Sequence, residues 1–174
     1  KIISMPHSYI VTDHKQTSKH ILEEQAEAKA AALNGGNNDD DIDNPDALPP
    51  VPKLEVPTRA KYGISEDAFV YACFNQLYKV DPEIFQTWCN ILKRTSNSIL
   101  WLLRFPPAAE ANLIAEAAKH GIKQDQLVFS DVCPRDEHLL RGFLVDLSLD
   151  TPAYNGHTTA ADMLWSGTPI VTVK

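Results

Sequence analysis

From Arg59 onward the sequence alternates short apolar runs with stretches of helical period, and few folds accept that alternation. Ala68 to Phe74, Ile99 to Leu103, Leu127 to Phe129, Leu147 to Leu149 and Ile170 to Val173 read as strands. The first helical segment opens at an Asp81 N-cap with Pro82 in the first helical position. It spaces Ile84, Trp88, Ile91 and Leu92 along one face. A second runs from about Ala108 to His120 and is closed by Gly121. A third runs from Pro134 to Val145, and a fourth from Thr158 to Trp165 is ended by Gly167. Strands separated by helices are joined by right-handed crossovers. The expected fold is therefore α/β, a doubly wound parallel sheet. Such sheets bind ligands beyond the C-terminal ends of their strands, in the loops that open the following helices.

The first 58 residues read differently. They carry 5 basic and 10 acidic side chains, against 11 and 13 in the rest of the chain, so most of the net charge of −7 lies there. Ser8 to Val11 reads as a short strand and His20 to Leu33 as a surface helix. The Asn/Asp-rich stretch from Asn34 to Asp43 and the Pro-punctuated run from Pro45 to Pro57 lack the apolar surface to offset chain entropy, so they read as linker, partly disordered. A calcium loop counted from Asp39 would need Gly and Glu where Asn44 and Pro50 stand, which excludes one. An acidic chain without a Lys/Arg cluster has no footprint for nucleic acid. No apolar run approaches the roughly 20 residues of a membrane span. Three widely spaced cysteines point to a reducing compartment. The chain opens at Lys1 without a Met and stops on a strand-like run, which reads as a piece of something longer.

Three strand-end loops carry the polar residues. After the first strand, Gln76 and Lys79 precede the Asp81 cap, an amide and an ammonium suited to a diphosphate. After the third strand, Pro134 starts a helix with Arg135 in its first turn and His138 and Arg141 on one face. After the fourth strand, Gly156 permits a tight turn. Thr158 or Thr159 is then expected to cap a helix whose free N–H groups form an anion site, with Asp162 placed either to reach a ribose hydroxyl or to extend the capping. No His-x-x-x-His pair occurs, and His120 reads as structural at a helix C-terminus. P-loop, dinucleotide and hydrolase-elbow motifs do not occur.

Phe74-Asn-Gln-Leu-Tyr-Lys79, Trp88-Cys-Asn-Ile-Leu-Lys-Arg94, Leu100-Trp-Leu-Leu-Arg-Phe-Pro106, Leu149-Asp-Thr-Pro152, Asn155-Gly-His-Thr-Thr159 and Asp162-Met-Leu-Trp-Ser-Gly-Thr-Pro169 occur in one order. Together they resemble the catalytic region of O-linked N-acetylglucosamine transferases, over residues 59–174. Met5 to His14 is similar to the last segment of that family's first catalytic lobe.

The resemblance implies a fragment of a two-lobed GT-B glycosyltransferase. Residues 1–14 would end the N-terminal lobe, 15–58 would be a short intervening region, and 59–174 would form an incomplete nucleotide-sugar-binding lobe. It further implies inverting, metal-independent transfer of N-acetylglucosamine from UDP-GlcNAc to protein Ser/Thr hydroxyls in nucleus and cytoplasm. Tetratricopeptide repeats would lie in the parent protein, no further cofactor is expected, and the fragment alone would be inactive.

On the same basis Lys79 would neutralise the departing diphosphate and Gln76 would bind it. Cys133, Pro134 and Arg135 would line uracil and ribose, with His138 stacking on the base and Leu139, Leu140 and Arg141 nearby. His157, Thr158 and Thr159 would hold the diphosphate, Asp162 the ribose, and His7 would face the donor. Two positions depart from the family pattern: Arg135 replaces a Lys, and Tyr154 replaces a small residue near the sugar. Plant-type protein O-fucosyltransferases show Tyr in that loop, which keeps GDP-fucose open as an alternative. A non-catalytic nucleotide-binding scaffold is the other.

Overall fold

In a computed structural model of the chain, the described residues are 57–173 together with His20, Ile21 and Glu23. The latter three belong to a separate compact unit, Asp13–Val56, and are helical, in line with the start of the expected His20 helix. The remainder of that helix, the expected strand at Ser8, the linker up to Val56 and His7 lie outside the described residues.

Residues 57–173 form five strands and four helices. These are β1 (Phe69–Cys73), α1 (Pro82–Arg94), β2 (Ser98–Leu103), α2 (Ala109–Lys119), β3 (Leu127–Ser130), α3 (Arg135–Gly142), β4 (Leu147–Leu149), α4 (Thr158–Trp165) and β5 (Ile170–Val171). Every strand pair is parallel and the order is β3-β2-β1-β4-β5. Sequential strands grow outward from β1 to β3, then the chain crosses back to place β4 on the other side of β1. The reversal puts a topological switch point, and hence a crevice, beyond the C-terminal ends of β1 and β4.

Period-two alternation in β1 and β2 divides the core into two layers. Tyr71, Cys73, Leu100 and Leu102 pack with Phe85, Trp88, Cys89 and Leu92 of α1 and Ala117 of α2. Val70, Ala72, Phe74 and Trp101 pack with Met163 of α4 and Val145. Both faces of the central strands are thus covered, which is why their sequences read as continuous apolar runs. Trp101 is fully buried, and its indole N–H is satisfied by the Ser130 hydroxyl.

Local chemistry accounts for the element ends. Asp81 Oδ1 accepts the Ile84 N–H at 2.8 Å, with Pro82 at the first position of α1, as its sequence required. Gly121 and Gly167 end α2 and α4 at φ of 74° and 81°, backbone that other residues seldom adopt. Two boundaries differ from the sequence reading by more than one residue. α3 stops at Gly142 rather than Val145, because Phe143, Leu144 and Val145 donate to carbonyls three residues back and tighten the chain into β4. β5 ends at Val171 rather than Val173, since short β4 offers register partners only for Ile170 and Val171.

α3 and α4 lie in close contact at Gly142. A Cβ there would stand 2.3 Å from Ser166 Oγ and 2.5 Å from Ser166 Cβ. The Ser166 hydroxyl lies 2.8 Å from the Leu139 carbonyl and 3.1 Å from that of Asp162, and the Thr168 hydroxyl donates to the Gly142 carbonyl at 2.7 Å. These contacts fix two of the helices that open on the crevice.

Candidate functional site

The loops after β1, β2 and β3 and the first turns of α4 line a cleft of about 540 Å³ at the switch point. Of the residues singled out in the sequence, Gln76, Lys79, Cys133, Arg135, His138, Arg141, Thr158, Thr159 and Asp162 line it. Phe74, Asn75, Tyr78, Leu103, Phe105 and Val132 complete the walls. Leu139 and Leu140 are buried, and neither lines the cleft, nor does exposed Pro134. His157 is exposed beside the cleft, with its ring 5.5 Å from that of Tyr154.

The β1 loop turns once through a 3-10 segment, Leu77–Lys79. Leu77 is buried and its N–H donates to the Phe105 carbonyl at 2.8 Å, so the middle of this polar loop is anchored in the core. Gln76 and Lys79 project from either end of that anchor. The Lys79 ammonium stands 4.3 Å from the centroid of the Tyr154 ring.

In the β3 loop the Pro134 carbonyl accepts the His138 N–H and starts α3 without a side-chain cap. The His138 ring meets Phe74 edge-on, and its Nε2 lies 3.5 Å from Asp162 Oδ2 on α4. Burial, aided by Arg141 and opposed by Asp162, lowers the His138 pKa, so its imidazole is neutral at pH 7. Burial likewise pushes the Cys133 thiol up and keeps it protonated.

Arg141 is 4 % exposed and is already occupied. It donates to the Asp131 carbonyl at 2.8 Å and to the Tyr62 hydroxyl at 3.3 Å, and lies 3.7 Å from Glu137. Its charge braces the β3 loop. Glu137 also accepts from Lys61 and the Tyr62 hydroxyl, and the Lys61 hydrogen bond foremost holds its carboxyl below the usual range.

The β4 loop is organised by Asp150. Its Oδ1 accepts from Asn75 Nδ2 (3.0 Å), the Thr151 N–H (2.9 Å) and the Gly156 N–H (2.8 Å). Its Oδ2 accepts from Asn155 Nδ2 (2.9 Å) and the Thr172 hydroxyl (2.7 Å). Burial raises the Asp150 pKa, but the hydrogen bonds from Gly156, Thr172, Asn155 and Thr151 outweigh it and leave the carboxyl below its ordinary value. Asn75 also donates to Thr151 Oγ1 at 2.9 Å, while its buried Oδ1 has no partner. Gly156 is held so near that an added Cβ would come within 2.7 Å of that oxygen.

α4 begins directly after this braced turn. Neither Thr158 nor Thr159 caps it, contrary to the sequence reading. Thr158 already has helical backbone, and His157 takes the N-cap position with no side-chain cap. A helix start without a side-chain cap keeps its first-turn N–H groups available to an anion. Asn75 and Asp150 were not singled out in the sequence. The one hint was Asp150 followed by Thr-Pro directly after a strand, a turn signal.

Among the described residues no group of three or more His, Cys, Asp or Glu is placed to hold a metal ion, and no helix is long and apolar enough to cross a membrane. The parallel 3-2-1-4-5 sheet with a cleft at its switch point defines a Rossmann-like α/β domain. The model of glycosyl transferase family 41 matches residues 47–174. The chain belongs to that family.

Over 173 residues it is 46% identical to the Arabidopsis thaliana protein named "Probable UDP-N-acetylglucosamine–peptide N-acetylglucosaminyltransferase SEC", an alignment covering 99% of this chain and 15% of the relative. It is 47% identical over 116 residues to the Caenorhabditis elegans UDP-N-acetylglucosamine–peptide N-acetylglucosaminyltransferase, covering 67% of this chain and 10% of that one. A solved mutant of the Thermobaculum terrenum O-GlcNAc transferase superposes with a TM-score of 0.56 at 29% identity, covering 63% of this chain and 22% of that chain. The chain thus spans only 15% and 10% of the length of these two curated relatives.

Proposed function

We propose that this chain supplies the nucleotide-binding part of the catalytic centre of an inverting protein O-GlcNAc transferase. UDP-GlcNAc is the donor and protein Ser/Thr hydroxyls are the acceptors. One observation carries the reading: Lys79 and Gln76, the α3 side chains Arg135 and His138, and the N-terminus of α4 with Thr158, Thr159 and Asp162 converge on a single cleft. The names of the relatives from Arabidopsis thaliana and Caenorhabditis elegans support the donor and the peptide acceptor.

In this reading the acceptor oxygen attacks the anomeric carbon from the face opposite the diphosphate. The bond from that carbon to the β-phosphate oxygen breaks, its electron pair leaves on UDP, and the hydroxyl proton passes to a base. The negative charge that grows on the departing β-phosphate is met by the Lys79 ammonium and the N–H groups that open α4, which supply electrostatic compensation without a metal. Neutral His138 and protonated Cys133 give the nucleoside a wall without net charge, and Asp162 accepts from a ribose hydroxyl. The nucleus and cytoplasm as the working compartment accord with three unpaired thiols, two of them buried.

Calorimetric titration of the full-length protein with UDP and with GDP tests this reading. Tight UDP and negligible GDP binding is the expected outcome. Preference for GDP would replace the donor by a GDP-sugar, and binding of neither would leave a non-catalytic scaffold.

A further inference from the structure

We infer that Tyr154 is a positioning residue for the Lys79 ammonium. This rests on the assignment of Lys79 to the diphosphate, and it concerns what holds that cation before the anion arrives. Lys79 carries its charge on a flexible four-carbon stem, so its placement needs a partner. The partner is the face of the Tyr154 ring, with the ammonium 4.3 Å from its centroid.

The ring itself is 55% exposed and contributes little to the core. Its backbone, by contrast, is fixed. The Tyr154 carbonyl accepts from Thr151 Oγ1 at 2.8 Å, Thr151 is fully buried, and the same Oγ1 accepts from Asn75. Tyr154 is thereby tied to the ends of both β1 and β4. Its ring also lies 5.5 Å from the His157 ring at the start of α4, tilted by 37°. The exposed aromatic thus touches both the ammonium and the residue that opens α4.

The chemistry of the partner matters. A carboxylate would hold the ammonium more firmly but would neutralise it and compete with phosphate. A neutral ring orients the cation through its quadrupole and leaves the charge available. Asp150, the carboxylate of the same loop, is taken up by its five donors.

The test is a double-mutant cycle in the full-length protein, reading UDP affinity and kcat/KM for UDP-GlcNAc. Tyr154→Leu is expected to lower both roughly two- to fivefold, the scale of an exposed cation–π contact. Tyr154→Phe, which keeps the ring face, recovers most of that loss. In a Lys79→Ala background Tyr154→Leu has no further effect, since a residue acting through Lys79 has nothing left to position. Additive losses, or Tyr154→Phe behaving like Tyr154→Leu, overturn the inference while leaving the function standing. Lys79→Ala without effect overturns the diphosphate assignment and the inference together.

Discussion

Asn75 Nδ2 donates to Asp150 Oδ1 at 3.0 Å, joining the loops after β1 and β4 across the point where the sheet changes direction. The bond links the loop carrying Lys79 to the turn that launches α4. Asp150→Ala strands five donors at once, some of them half-buried. Chemical denaturation should show a loss of about 2 kcal/mol, with Asp150→Asn intermediate. An unchanged midpoint would mean that water replaces the carboxylate at no cost.

The same carboxylate sets a pH dependence. Its folded pKa lies below the unfolded value of about 3.9, so its stabilisation is present above that value and is lost as pH falls through the folded pKa. Asp150→Asn should therefore flatten the acid limb of the stability curve below about pH 4. Superimposable acid limbs for the two proteins would argue against the five-donor account.

His138 acts in a higher pH window. Its pKa is depressed by burial, with Asp162 of α4 and Arg141 of its own helix as the charged groups facing it. The unfolded chain then binds the extra proton first, and stability falls as pH drops from about 6.5 toward the folded value. Thermal melts between pH 7.5 and 5 should show this decline, and His138→Gln should remove it. A wild-type melting temperature that stays level over that range would contradict a buried, neutral imidazole.

Lys79→Ala should cost on the order of 10²–10³-fold in turnover, as removal of a preorganised charge-stabilising donor does. Steady-state kinetics with UDP-GlcNAc and a peptide acceptor measure it directly. EDTA should leave the wild-type rate intact.

Gly142→Ala should weaken the α3–α4 contact. Its new Cβ would stand 2.5 Å from Ser166 Cβ, and overpacking of this kind costs roughly 1–3 kcal/mol. Ser166→Ala leaves that clash in place, whereas Ser166→Gly in the Gly142→Ala background should recover part of the loss. Equal melting temperatures for the two double variants would show that the helices separate instead.

The sheet was legible because its strands are short apolar runs broken by stretches of helical period. Asp81-Pro82 and Gly121 mark their ends by backbone chemistry that acts locally. The cleft's charged residues were legible for a related reason: a polar residue after a buried strand has few places to go but the strand-end loop. What escaped the sequence depends on distance in the chain. Asp150 and Asn75 are 75 residues apart, and Asp150 acts through donors from three segments. Leu139 and Leu140, named through the family resemblance alone, are buried and do not line the cleft, since a matched motif carries positions along a short helix but not which side the sheet covers. The Thr158 cap failed because the braced turn at Gly156 starts the helix one residue earlier than a threonine cap requires.

Leu77, buried in the middle of the loop that bears Lys79, has a consequence in time. A loop pinned to the core by its central residue does not swing as a lid on the microsecond scale. In the proposed reading, the Lys79 ammonium then meets an arriving phosphate by side-chain rotation, a motion of picoseconds to nanoseconds, and its recruitment calls for no slow movement of the loop.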